Sequence, residues 1–513
     1  MIKSTVFKFI IIFLALMLVT SCQSTAVYKK TLLPEEIILN NQTQSDLPDE
    51  APEITAVNHY PKYPVTHIQL INGTNVYYIQ THHLINTSTL YALAFKRDGQ
   101  YPRVLNDLFL NWNALLLETS YSEAKPQRLS ILAENTGATL QNFSMNKFYG
   151  KYLLALNEDS EAILYLLGHL VTGLHFSSQE LERVKLNLGV SKRVESVSGH
   201  NLTWQLFKKL SLPATASNLT TPDPALYRKQ RQQATLSQFM QFVNNSLQPE
   251  KASLIILSPT PFNKIQPLLE QYFSQWRGKA KHLPNKNSST LEAKNSDNFN
   301  NEVFWAIKRD ASTQVDIRIG FWPQSLTNKE RQSLKILSEL LAGGGLASRM
   351  THDLRENKGL TYFISSSIAR FSTLDSLQFV SSTEPHKLAA LLEGMKQHIQ
   401  TALHSSITQT EFIAIKKRLI VKAQRNLLTD YQQLGQMLQL LADNSSTGNK
   451  IQDLAVQSQL LEQLSYQDFQ KALTRLGSIP QVTLLAGDKK LLKHHLCKYY
   501  TKCKIHWFNN ELH

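Results

Sequence analysis

Histidine is the side chain best suited to holding a catalytic metal, and this 513-residue chain has 16 of them. None falls in the order His-x-x-Glu-His or His-Glu-x-x-His, which would put two imidazoles and a carboxylate on one helix face. His82 and His83 adjoin beside a hairpin with no carboxylate at ligand spacing, and His494 and His495 lie on a basic terminal helix. Both pairs read as ordinary surface or core histidines, because a metal site needs converging ligands with supporting partners. The three cysteines, Cys22, Cys497 and Cys503, form no cluster for a structural zinc. Chemistry concentrates in residues 341–367 (LAGGGLASRMTHDLRENKGLTYFISSS), where Arg355 and Tyr362 stand seven apart. The first offers a rigid charged fork, the second a phenol with a hydroxyl donor. By residue type alone, Arg355 could equally pair with Asp353 or Glu356, and Tyr362 could simply pack.

The composition is 42% hydrophobic, 18% charged and 9% aromatic, which buries sizeable cores and excludes disorder or a fibrous repeat for the whole chain. Such a length implies two large domains or about three ordinary ones. The formal net charge is +14, or +12 without Lys3 and Lys8. A basic surface favours anionic lipid or acidic substrates. No nucleic-acid motif accompanies the charge, so it reads as solvated lysine faces plus an Asn/Lys-rich linker, with no nucleic-acid partner expected.

The N-terminus sets the expected compartment. Lys3 and Lys8 precede the apolar stretch 9–19, which is shorter than a membrane span and ends in Val19-Thr20-Ser21-Cys22. Small residues before a cysteine resemble a bacterial lipobox, so residues 1–21 read as a lipoprotein signal peptide and Cys22 as the lipidated N-terminus. Gln23-Ser24, without Asp at the second position, resembles the outer-membrane sorting default. Residues 22–60 read as a tether. In that oxidising space Cys497 and Cys503 are either a short-loop disulfide or two free thiols.

The remainder reads as two halves on one plan. Asn72-Gly73 between apolar runs predicts a hairpin with both turn residues at positive φ. Helices are predicted over 104–118, 125–135 and 160–173, with Gly137 stopping the second, and a strand over 147–157. Ser177-Ser-Gln-Glu180 and Thr408-Gln-Thr-Glu411 are capping boxes that place Lys185 and Lys416 equivalently, 231 residues apart. Strand 252–258 corresponds to strand 481–487, Ser258 and Gly487 being 229 apart, and a helix follows each, ending in Tyr272-Phe273 and Tyr499-Tyr500. Matches in order at nearly constant offset imply an internal duplication. The second half opens with strands at 303–307 and 315–321, then a helix over 329–341 and a strand from near Leu360. The expected class is α+β: two homologous sandwiches, each a mostly antiparallel sheet covered by helices. The divisions are 61–276, a polar linker at 277–302, and 303–513.

The Gly343-Gly344-Gly345 turn, the Ser348-Arg349 pair and the run from Arg355 to Tyr362 resemble, in that order, the second domain of the insulinase/pitrilysin metallopeptidases. The duplication, hairpin and linker suit the same family, so the resemblance spans roughly 65–508. It implies a clam-shell half and a zinc site in the first domain, held by His-x-x-Glu-His and a later Glu. Aligning Gly137-Ala-Thr-Leu140 with the family's Gly-Gly-x-Leu places that motif at Asn111, Ala114 and Leu115; even a register using Glu118 brings no histidine. The downstream positions are Val184 and Ser191. All five are non-ligating, so no metal and no catalytic residue is expected in this chain.

Arg355 and Tyr362, by contrast, match the family's substrate-clamping pair. The pattern resembles two-chain members in which one chain carries zinc and its partner carries the Arg/Tyr pair. The resemblance therefore implies a non-catalytic, peptide-binding subunit in the bacterial envelope, joined as a heterodimer to a zinc-motif relative. Two other readings are a non-enzymatic lipoprotein scaffold or peptide-binding protein, and a self-sufficient metallopeptidase with unconventional ligands.

Overall fold

The computed structural model describes residues 62–508 apart from 82–86, 98–100, 113–128, 139, 146, 173–176, 196–197, 212–223, 279–302, 372–373, 405–406, 445–450 and 501–502. The signal peptide, the tether, Cys22 and nearly all of the linker lie outside these residues. The first half supplies β1 (Val65–Gln69), β2 (Asn75–Gln80), β3 (Ser88–Lys96), β4 (Gln141–Met145), β5 (Phe148–Leu156) and β6 (Ala252–Ser258). The second supplies β7 (Val303–Lys308), β8 (Val315–Phe321), β9 (Ile364–Phe371), β10 (Leu374–Thr383), β11 (Val482–Gly487) and β12 (Lys504–Phe508).

These strands make two six-stranded mixed sheets, ordered β1-β2-β6-β3-β5-β4 and β12-β7-β11-β8-β10-β9. The duplication is visible in the pairing. Five strands of each sheet share one order and sense, with β2 parallel to β6 and β7 parallel to β11, and antiparallel neighbours beyond. Every residue of β6 and of β11 is buried, as expected for a continuously apolar strand covered on both faces. The sixth strand differs: β1 adds antiparallel to β2 from the front of the chain, whereas β12 adds parallel to β7 from its end. Cys497, which closes the helix Lys489–Cys497, is disulfide-bonded to Cys503 just before β12.

Several predicted features differ in the structure. In the β1–β2 loop only Gly73 has positive φ (91°); Asn72 does not. Its amide instead donates to Phe273 O (2.7 Å) and Trp276 O (3.2 Å), so a long-range tie replaces the expected turn geometry. The helix expected over 104–118 is described as Arg103–Leu110 followed by a turn at 111–112, and that expected over 125–135 contains Leu129–Asn135; 113–118 and 125–128 lie outside the described residues. The helix predicted over 329–341 is regular over Asn328–Ser338 and widens over Glu339–Gly343. The last helix stops at Cys497, short of Tyr499-Tyr500.

The two halves are interlocked by exchanged helices. One face of each sheet carries the helices of its own half. The other face of the second sheet is covered by Gly199–Ser211 of the first half, whose Leu202, Leu206 and Phe207 pack against Ile307, Trp322, Val482 and Leu484. Reciprocally, the second-half helix Asp430–Asn444 lays Leu434, Met437 and Leu438 on Ile79, Leu90, Ala92 and Ile255 of the first sheet. The two helices begin 231 residues apart, the offset of the capping boxes.

A buried cation fixes one exchange. Arg318 of β8 is 2% exposed and donates to Gln378 Oε1 and to His200 O (3.1 Å), and its guanidinium lies 5.4 Å from the Trp204 ring. Burial lowers its pKa to about 10. The duplicated lysines are structural too. Lys185 Nζ, ion-paired with Glu182 (2.6 Å), also donates to Gln232 O (3.4 Å), and Lys416 Nζ to Glu462 O and Leu464 O (both 2.9 Å), each tying a capping-box helix to the C-terminal end of another helix.

The exchange predicts that residues 60–276 expressed alone aggregate or bind a hydrophobic dye, whereas proteolytic nicking within 279–302 leaves both fragments co-eluting on size exclusion. Arg318→Ala strands His200 O and the Gln378 side chain in a dry interface, and thermal or urea unfolding should show a loss of about 3–5 kcal/mol.

Candidate functional site

The second-half pair is built by a chain of backbone constraints. After the helix Asn328–Ser338 the chain turns through Gly343-Gly344-Gly345. Gly345 has φ +64°, and a Cβ on Gly344 would meet Arg418 Nη1 at 2.5 Å. Ser348 then opens a helical segment, Thr351–Asn357, wound wider than an α-helix, a local form often found at functional sites. Arg349 anchors it by donating through Nη2 to Glu411 Oε1 (2.6 Å), while Glu411 Oε2 accepts from Thr408 N in the second capping box.

Gly359, at φ +58°, reverses the chain, and Leu360 N donates to Leu354 O (2.9 Å). The buried Thr361 hydroxyl lies 2.8 Å from Ser382 O on β10. These ties delay the strand expected from Leu360, so β9 begins at Ile364. They also force the next side chain, Tyr362, outward: it is 85% exposed.

The structure thereby brings the two sequence candidates together. The Arg355 guanidinium lies 5.5 Å from the Tyr362 ring centroid, a cation–π contact, and Arg355 Nε is 3.2 Å from Glu356 Oε1. Asp353 is not its partner. That carboxylate accepts from Lys358 Nζ and His398 Nε2, each at 2.9 Å, and these two bonds hold it below the usual carboxylate range against the raising effect of its burial. Arg355 is therefore only lightly engaged, and Tyr362 presents its phenol to solvent.

The first-half positions behave differently. Asn111 donates through Nδ2 to Asp107 O (2.7 Å), capping its own helix, and the neighbouring Trp112 is buried and stacked 4.8 Å from Phe239. Val184 is 2% exposed in the first core, on the helix Ser178–Glu195 that packs against Arg103–Leu110. Ala114, Leu115, Glu118, His82 and His83 lie outside the described residues, as does the side chain of Ser191. Among the described residues no three His, Cys, Asp or Glu side chains converge on a metal position. An amide committed to a carbonyl and a buried isopropyl do not fit a zinc ion.

One residue escaped sequence reasoning. Lys151, in the middle of β5, is 4% exposed. Its ammonium donates to Leu110 O (3.3 Å) and Asn142 Oδ1 (3.2 Å), over the Phe109 ring at 5.1 Å. It thus places a cationic group beside the residue preceding Asn111, where a divalent cation would be repelled. The available signal was a lone lysine amid the apolar residues of 148–156 (FYGKYLLAL).

Burial pushes the Lys151 pKa down to about 7. Between that value and the unfolded 10.5 the unfolded chain binds the extra proton, so stability rises with pH across this window and is lost as pH falls through it. Lys151→Met should flatten that part of the stability–pH curve and raise Tm near neutrality, measured by calorimetry from pH 6 to 10.

Residues 233–419 match the family model described as Peptidase M16 inactive domain. The chain is 22% identical over 179 residues to an uncharacterized zinc protease of Mycobacterium leprae, covering 34% of this chain and 38% of that protein. It is 21% identical over 291 residues to the uncharacterized zinc protease YmxG of Bacillus subtilis, covering 56% and 66%. The matched part of the chain thus spans between two fifths and two thirds of these relatives' lengths.

Among solved structures, a Helicobacter pylori protease superposes with TM-score 0.67 at 14% identity, over 83% of this chain and all of that one. A peptidase M16 inactive domain from Pseudomonas fluorescens gives TM-score 0.66 at 16% identity, covering 83% and 98%. The periplasmic protease PqqL of Escherichia coli gives 0.65 at 14%, covering 86% of this chain and 48% of PqqL. The fold of two six-stranded mixed sheets with covering helices is the fold of these proteins. Over residues 233–419 the chain is similar to the M16 peptidase family's inactive domain, and its two-domain α+β fold is that of the solved M16-like structures.

Proposed function

We propose that this chain is the non-catalytic, peptide-binding subunit of an envelope zinc peptidase, lipid-anchored through Cys22 and completed as a heterodimer by a partner that carries the zinc motif. The observation that carries this reading is an asymmetry. Arg355 and Tyr362 stand together and accessible on the second half, while Asn111 and Val184 of the first half hold an amide and an isopropyl group. In this role the Arg355 guanidinium binds a peptide carbonyl and the Tyr362 hydroxyl donates to the oxyanion that forms at the partner's zinc. The Cys497–Cys503 disulfide supports an oxidising compartment. PqqL, a structural neighbour, is a periplasmic protease, which supports the same location. Among the described residues no helix is long and apolar enough to cross a membrane; in this reading the attachment is the lipid on Cys22.

The Arg355–Glu356 ion pair favours a second reading, a non-enzymatic scaffold in which the pair is merely structural. The purified chain should contain no stoichiometric zinc and turn over no peptide, whereas native co-purification should recover a zinc-motif relative. Zinc with turnover in the isolated chain overturns the proposal. Arg355→Ala or Tyr362→Phe should lower cleavage by the assembled complex roughly 100-fold without weakening assembly, the loss typical of one oxyanion donor. Unchanged cleavage leaves the scaffold. Cys22→Ala should move the chain from the membrane to the soluble envelope fraction on cell fractionation.

A further inference from the structure

The helix Lys489–Cys497 gathers positive charge on an exposed face of the second half. Leu492 and Leu496 are buried in the second core, which fixes how the helix is turned. Lys490, His494 and Lys498 recur at every fourth residue and so share the opposite face; all three are exposed, with Lys489 and Lys493 exposed along one side of the row. Two ties hold the helix in place. Asp488 caps its start, Oδ1 accepting from Lys490 N (2.9 Å) and Leu491 N (3.1 Å), and Cys497 at its end is bonded to Cys503. The nearby carboxylates are engaged elsewhere: besides the capping Asp488, Glu384 lies 3.4 Å from His386 Nδ1, and Glu393 lies beside the Tyr500 phenol. Among the described residues Lys490, Lys493 and Lys498 enter no ion pair. The crowding of cations is felt within the cluster, since slight burial and then His494, His386 and Lys498 lower the proton affinity of the His495 imidazole. Two apolar side chains, Leu491 (38% exposed) and Tyr499 (57%), stand at either end of the row.

We infer that the face bearing Lys490, His494 and Lys498 docks on a bilayer surface that contains anionic phospholipid. The helix lies in the interfacial plane, its lysines meet the headgroup phosphates, and Leu491 and Tyr499 reach toward the acyl boundary. The exposed leucine favours a bilayer over a nucleic acid, whose phosphate backbone gives an aliphatic side chain nothing to bury against. The face requires neither a lipid on Cys22 nor the Arg355–Tyr362 pair, so this inference and the peptidase reading stand or fall separately. Where Cys22 carries lipid, the face adds a second attachment and holds the folded body against the membrane in one orientation.

The test is cosedimentation of the mature chain, with Cys22→Ala in place of the lipid, with vesicles of mixed phosphatidylcholine and phosphatidylglycerol and with vesicles of phosphatidylcholine alone. Saturable binding to the anionic vesicles is expected, weakening as salt increases, with none to the neutral ones. Lys490→Gln, Lys493→Gln and Lys498→Gln combined should weaken it about 100-fold, close to fivefold for each lysine. The same loss of charge at three exposed lysines elsewhere, through Lys229→Gln, Lys264→Gln and Lys471→Gln, should leave it nearly unchanged. If the first triple variant fails to fold by circular dichroism, Lys493→Gln with Lys498→Gln carries the test. No binding to the anionic vesicles, equal binding to the neutral ones, or equal weakening by both triple variants overturns the site. A duplex oligonucleotide bound more tightly than the anionic vesicles, and lost with the same three lysines, overturns its assignment to lipid.

Discussion

The reciprocal trade of helices between the halves is the constraint on which the rest of this molecule depends. Each sheet is buried on one face by its own helices and on the other by a helix that the opposite half donates. Neither sheet could keep β6 or β11 fully buried without its loan, and an exposed apolar face of that size would seek another partner. The loan is not purely apolar. Arg318, dry and hydrogen-bonded to the backbone of the exchanged helix, fixes where that helix sits in a way that hydrophobic contact alone does not.

The loop that carries Arg355 and Tyr362 shows how little sequence is needed to aim two side chains. Left-handed Gly345 and Gly359 bracket the segment, Arg349 ties it to the capping box at Thr408, and buried Thr361 pins it to β10. Each device acts on the backbone, so the exposed pair is positioned without being packed. In the first half the corresponding helices are present and in contact, but their facing positions are filled by a cap, a core valine and, nearby, a buried ammonium. The two described positions there, Asn111 and Val184, serve capping and packing.

Much of this was legible in advance, for physical reasons. Capping boxes at Ser177 and Thr408, the apolar runs of β6 and β11, and the glycine turns are local signals, and they located both halves and their common offset. Arg355 and Tyr362 were legible as candidates because the run from Gly343 to Tyr362 carries the family resemblance, while their mutual contact needed the structure. What stayed hidden depends on partners far along the chain. Asn72 abandons its expected turn because two carbonyls some 200 residues away are better acceptors for its amide. The helix exchange has no local signature, since the amphipathic run 199–211 looks the same whichever sheet it covers. Lys151 was passed over because a single lysine in a strand pattern ordinarily points to water, and here the pleat points it inward.

The trade also dictates a timetable. The helix at 199–211 is synthesised some hundred residues before the strand β7 that opens its destination sheet, and the first sheet must wait for residues 430–444 before its second face is closed. A chain made N-terminus first therefore spends most of its synthesis with greasy surfaces bare, and only once its final third has emerged can either half settle. Chaperones that hold the unfinished chain, rather than stepwise maturation of one half and then the other, are what such an architecture requires.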